Sequence, residues 1–66
     1  MNNNMVGIRE LAAQKGWTVT ELAARSGIKA QRLYDLMRGK GQMYTFELWA
    51  LAKATGVPAK RIEYRY

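Results

Sequence analysis

Apolar residues return along the chain at three- and four-residue intervals, the period of helices packed through one face. Met5, Ile8, Leu11 and Ala12 predict a first helix over about 4–15, with Asn4 as its N-cap and Gly16 closing it. Thr18-Val19-Thr20-Glu21 carries a capping box, with Thr18 at the N-cap and Glu21 three residues on. Trp17 and Leu22 then fall at the two positions of a hydrophobic staple, and this second helix stops near Ser26, before Gly27. A third helix begins at Lys29 or Ala30 and ends at Arg38, with Leu33, Leu36 and Met37 as its apolar stripe. A fourth runs from Thr45, as N-cap, to Thr55, with Leu48, Leu51, Ala52 and Thr55 facing inward and Trp49 beside them. A fifth opens at Pro58, a favoured first-turn residue, and carries Ile62. No period-two alternation predicts a strand, although residues 64–66 suit extended backbone as well as helix.

Successive helical residues turn by about 100°, so with Leu33 at the buried centre Gln31, Asp35 and Arg38 point outward. Arg32 and Tyr34 flank that outer face on opposite sides.

The charge is uneven. The 66 residues hold 11 basic and 5 acidic groups, a net charge of +6. Residues 1–24 and 41–57 each balance to zero. Between residues 25 and 40, Arg25, Lys29, Arg32, Arg38 and Lys40 face only Asp35, and from 58 onward Lys60, Arg61 and Arg65 face only Glu63. A surplus gathered into short segments is the footprint of a polyanion binder. Cysteine and histidine are absent, which removes disulfides, thiolate metal sites, the commonest metal ligand and the usual general base. No catalysis, cofactor or metal is expected. No apolar run approaches a membrane span and no secretory signal is visible, so one domain over residues 1–66 with a cytoplasmic location is the expectation.

From Thr18 to Lys40 a short capped helix, a glycine turn and a second helix with a polar, basic outer face follow the helix-turn-helix plan. Ala23, four residues before Gly27, is small enough to let the two helices approach.

These residues resemble the Cro/repressor-type helix-turn-helix domain of phage repressors and bacterial xenobiotic-response regulators. The likeness runs from about Ile8 to Ile62. It rests on Ile8-Arg9-Glu10-Leu11, Thr20-Glu21-Leu22-Ala23, Ser26-Gly27-Ile28, Leu33 to Leu36, Arg38-Gly39-Lys40 and Leu51-Ala52-Lys53-Ala54-Thr55-Gly56-Val57, in matching spacing. The resemblance implies an all-α, lambda-repressor-like bundle of five helices. The third helix would enter the major groove of double-stranded DNA, and the starts of the second and fourth would approach phosphates. It assigns base-facing positions to Ala30, Gln31 and Asp35. The chain departs from the family pattern at Val19, where a glutamine often touches phosphate, at Lys29, where serine or threonine usually caps, and at Met43, where proline is common.

Gln31 suits bidentate pairing with adenine, and Asp35 suits acceptance from cytosine or pairing with Arg32 or Arg38. Tyr34 would pack on a thymine methyl or sugar, or against the fourth helix. Phosphate contacts are expected from Thr18, the Val19 backbone N–H, Lys29, Arg32, Arg38, Lys40, Gln42, Tyr44 and Thr45. Trp17 and Trp49 read as core or staple residues. Ile62, Tyr64 and Tyr66 are candidates for a dimer contact, Tyr64 and Tyr66 alternatively folding back on the first helix. The expected function is a sequence-specific regulator of transcription, repressor-like, bound as a homodimer to a near-palindromic site. The alternative is an antitoxin-like module of the same fold that grips a protein partner as well as DNA.

Overall fold

The computed structural model describes residues 5–63. Four α-helices follow one another: α1 (Ile8–Lys15), α2 (Val19–Ser26), α3 (Ala30–Met37) and α4 (Thr45–Thr55), and a short 3-10 turn, Ala59–Arg61, closes the described chain. The second helix is the hub, packing against α1, α3 and α4, while α4 also carries the 3-10 turn. Ile8, Leu11, Leu22, Leu33, Leu36, Leu51 and Ile62 are fully buried where these elements meet.

Local chemistry sets the helix ends. The Thr18 Oγ1 accepts from the Glu21 N–H at 3.1 Å, one half of the expected capping box. The Glu21 carboxylate is instead engaged by Arg25, one turn on, at 3.1 Å. At the other end of α2, Gly27 sits at φ 81°, a left-handed conformation that ends the helix. A Cβ there would meet nothing within 4 Å, so the demand is on backbone conformation and not on space. The Ser26 hydroxyl donates to the Ala23 carbonyl and accepts from the Ile28 N–H, folding the chain over the turn. The same device recurs at Thr55, whose buried hydroxyl donates to the Leu51 carbonyl at 2.7 Å and accepts from the Val57 N–H at 3.2 Å. Ala23 is 3% exposed, at the helix approach that its size permits.

Two expectations at the ends of the chain are corrected. The first helix starts at Ile8, with Gly7 as N-cap, and not near Asn4, which lies outside the described residues. The fifth helix is only the 3-10 turn, so the α-helices number four among the described residues. Both changes go with one contact, and at α1 the Gly7 N–H is also capped by the Glu10 carboxylate at 2.9 Å. Val6 and Ile62 form a parallel bridge: the Val6 N–H donates to the Arg61 carbonyl at 2.6 Å and the Glu63 N–H to the Val6 carbonyl at 2.8 Å. Extended backbone is needed at both sites, so neither can continue a helix. A third correction follows: the Ile62 side chain is fully buried within its own chain, a core residue and no surface for a second copy. Tyr64 and Tyr66 lie outside the described residues.

Trimming one buried methyl group tests that placement. Ile62→Val is expected to cost about 1 kcal/mol, read as a lower urea midpoint with the slope unchanged. A surface role would leave the midpoint where it was.

Candidate nucleic-acid interface

The third helix packs through Leu33 and Leu36, both fully buried, with Met37 partly so, and this fixes what its other side shows. Gln31, Asp35 and Arg38 form one hydrogen-bonded row along the opposite face. The Gln31 amide donates from Nε2 to the Asp35 Oδ1 at 3.0 Å, and Arg38 donates to the same oxygen at 3.4 Å. An ionised carboxylate only accepts, so Asp35 dictates which way round the Gln31 amide lies. Lys29 and Lys40, both exposed, stand at the two ends of the helix. Ala30 and Tyr34 are partly buried against the core at the margins of the row.

Arg32 turns away from this row toward α4. Its Nε donates to Glu47 Oε2 at 2.7 Å and its Nη2 to Glu47 Oε1 at 3.0 Å, a bidentate fork. The same Nη2 also donates to the Gln42 carbonyl at 3.2 Å, and the guanidinium lies 5.2 Å from the centre of the Tyr44 ring. Glu47 is 3% exposed and its Oε1 also accepts from the Tyr44 N–H at 2.9 Å, which caps α4. The cap of α4 is therefore Tyr44, one residue before the expected Thr45. The fork from Arg32 holds the Glu47 carboxyl below its ordinary value of 4.5, against the opposing effect of burial, and the Tyr44 N–H lowers it further. Arg32 is correspondingly held in its charged form, chiefly by the hydrogen bond to Glu47.

On the side of α2, the exposed Thr18 and the first residue of the helix, Val19, form the N-terminus. The Val19 side chain is buried, so only its backbone is available to an anion. Gln42, Tyr44 and Thr45 are all exposed between the end of α3 and the start of α4.

A helix-turn-helix family model, of the Cro/C1 type, matches residues 8–62. The chain belongs to the Cro/C1-type helix-turn-helix family. Comparison with curated proteins and with solved structures gave no match. This helix-turn-helix family is one of DNA-binding transcription regulators, and α2 with α3 forms the motif itself. No helix among the described residues is long and apolar enough to cross a membrane.

Within the motif, the residues expected to meet bases, Ala30, Gln31, Tyr34 and Asp35, share the outer side and margins of α3. Those expected at phosphates divide. Lys29, Arg38 and Lys40 are exposed, whereas Arg32 is spent largely on Glu47. Glu47 was missed from the sequence, although it stands one turn before Leu51 and two before Thr55 and so shares their inward face. The tryptophans differ from each other. Trp17 is half-buried, with Arg25 4.5 Å and Lys15 5.8 Å from its ring centre. Trp49 is 68% exposed and is no core residue, because it lies about 160° around the helix from Leu51.

The Arg32–Glu47 fork makes stability depend on pH with a definite sign. The folded-state value of Glu47 is depressed, so its contribution is present above about pH 4.5 and is lost as pH falls through the folded value. Glu47→Gln should cost about 1–3 kcal/mol at pH 7 and should flatten the acid limb of a stability profile measured by chemical denaturation. A variant profile parallel to the parent's would contradict this.

Proposed function

We propose that this chain is a sequence-specific double-stranded DNA-binding regulator of transcription, of repressor type, that binds a near-palindromic site as two copies. The observation that carries this reading is the hydrogen-bonded row Gln31–Asp35–Arg38 on the outer face of α3, bracketed by Lys29 and Lys40. In the major groove Gln31 would read adenine through N6 and N7, with Asp35 orienting its amide and excluding sites that place no donor opposite it. Ala30 and Tyr34 would contribute apolar contact beside it. Lys29, Arg38 and Lys40 would hold phosphates, helped by Gln42, Tyr44, Thr45 and the N-terminal N–H groups of α2 around Thr18 and Val19. Arg32 enters this reading as a positioning residue that holds α4 against α3. The reading includes no enzymatic step and no cofactor, and it places the protein in the cytoplasm, where the DNA is.

Selection from a random duplex pool at near-physiological salt should return a near-palindromic consensus, with half-sites about one helical turn apart. A flat pool would overturn sequence-specific reading. On the selected site, Gln31→Ala should relax preference at one base position per half-site by about 1–3 kcal/mol, while Lys40→Ala should weaken all sequences alike. With Lys29, Arg38 and Lys40 of two copies on phosphates, log affinity should fall against log salt with a slope of about −5, and Lys40→Ala should reduce its magnitude by about 2.

A further inference from the structure

The outer face of α4 carries two large aromatic side chains and a cation in one line. With Leu51 at the buried centre, turning about 100° per residue puts Phe46, Trp49 and Lys53 within about 60° of one another on the opposite side. Phe46 is 67% and Trp49 68% exposed, and Lys53 is exposed beside them. Their spacing, three residues and then four, makes one ridge along the helix. Ala50 and Ala52 lie at its flanks, small and partly buried, so the ridge stands clear of its sides. Phe46 is braced as well. Its ring stacks on Tyr44 with centres 5.9 Å apart and planes 11° from parallel, and the Arg32 guanidinium lies 5.2 Å from the centre of the Tyr44 ring. The proposed DNA contacts use none of Phe46, Trp49 and Lys53.

We propose that this ridge docks an acidic amphipathic helix of a partner protein. The apolar side of that helix covers Phe46 and Trp49, and a carboxylate at its edge pairs with Lys53. The proposal goes beyond the DNA-binding reading and does not rest on it. Large aromatic side chains are the residues on which protein contacts most often depend, because each buries much apolar area with few rotatable bonds. Intervals of three and four residues are those at which a helix presents anchors to a partner. The alanines on either side of Trp49 let the partner's backbone close in beside the ridge. Because the stack on Tyr44 already restricts the Phe46 ring, less side-chain freedom is lost on docking.

Charge selects the occupant. Lys53 makes no ion pair among the described residues. The outer face of α4 carries no carboxylate, because Glu47 is turned inward onto Arg32. The chain as a whole stands at +6, so an acidic partner is drawn in from a distance and then meets a cation at the end of the rings. A second copy brings the same positive surplus. Four of the five carboxylates in each chain, those of Glu10, Glu21, Asp35 and Glu47, are already engaged within it. Duplex DNA offers phosphates to Lys53, but its outside is a charged backbone that leaves two large rings uncovered. The phosphate donors proposed above, Gln42, Tyr44 and Thr45, stand at the start of α4, whereas Lys53 lies in its last turn, about 12 Å beyond Thr45 along the axis.

The probe is a synthetic helical peptide of about 15 residues, with leucines at i, i+3, i+4 and i+7 and glutamates along both flanks. A counterpart carries lysine in place of every glutamate. Each is titrated into the isotope-labelled chain at near-physiological salt, and the backbone amide shifts are followed residue by residue. The glutamate peptide should bind saturably, with its shifts concentrated on α4 around Phe46, Trp49 and Lys53, and the lysine peptide should not bind. The double variant F46A/W49A, whose altered side chains are exposed, should weaken the glutamate peptide by about tenfold or more and leave the affinity for the selected duplex within about twofold of the parent. Lys53→Glu should weaken the peptide by about fivefold. Lys15→Glu makes the same change of net charge at the end of α1 and should leave the peptide within about twofold. Equal losses in K53E and K15E would reduce the attraction to net charge and overturn the proposal. Absence of binding, or shifts spread evenly over the surface, would overturn it too. A loss of duplex affinity in F46A/W49A as large as the loss for the peptide would assign the rings to DNA and end the proposal. If the parent chain binds no duplex, the DNA-binding reading fails, and the peptide titrations still decide the ridge.

Discussion

The fork from Arg32 to Glu47 is the constraint on which the geometry around the outer face of α3 depends. Leucines alone would seat α3 on α2, but burial of apolar surface is non-directional and tolerates small rotations and slips. A planar guanidinium bound through two nitrogens to two carboxylate oxygens does not. It fixes the first turn of α3 against the first turn of α4, and it draws in the intervening loop through the Gln42 carbonyl. The carboxylate does double service, because the same group caps α4 at the Tyr44 N–H. Removing one partner would therefore disturb a helix start, a loop and an interhelical angle together. Lysine in place of Arg32 would keep the charge and lose the fork.

Much of the architecture could be read directly from the residues. The extents of α2, α3 and α4 follow from Thr18, the glycines at 27 and 56 and the spacing of the leucines; the structure places these helices within one residue of the expected bounds, α3 ending at Met37 instead of Arg38 and α4 capped by Tyr44 instead of Thr45. The outward row of Gln31, Asp35 and Arg38 follows from turning 100° per residue from Leu33, and the alternative of an Asp35–Arg38 pair is also present. What escaped the reading has a common cause. Glu47 is a buried acid and Trp49 an exposed aromatic, the reverse of what their residue types suggest, and their positions around α4 relative to Leu51 account for both. The ends of the chain escaped for a different reason. Pairing between Val6 and Ile62 is a long-range event that no local pattern announces, and it holds extended backbone just before α1, whose start the Glu10 carboxylate caps at the Gly7 N–H, and just after the 3-10 turn.

The fold also redistributes the charge that the sequence displays. Of the five cations between residues 25 and 40, Arg25 is matched by Glu21, Arg32 by Glu47 and Arg38 by Asp35. The surplus that looked like a block becomes two lysines at the ends of a helix, with a partly balanced polar row between them. In the proposed reading such an arrangement separates two tasks: the lysines would supply attraction that is indifferent to sequence, and the row a pattern of donors and acceptors that is not.

The bridge between Val6 and Ile62 joins opposite ends of the described chain through two backbone hydrogen bonds. In a chain without cysteine it closes the ring that a disulfide would close elsewhere, but reversibly. Loop closure is cheap once the helices between have packed, because the ends are then already near one another. Val6 and Ile62 are both core residues, so the clasp ties the packing at one end of the described chain to the packing at the other.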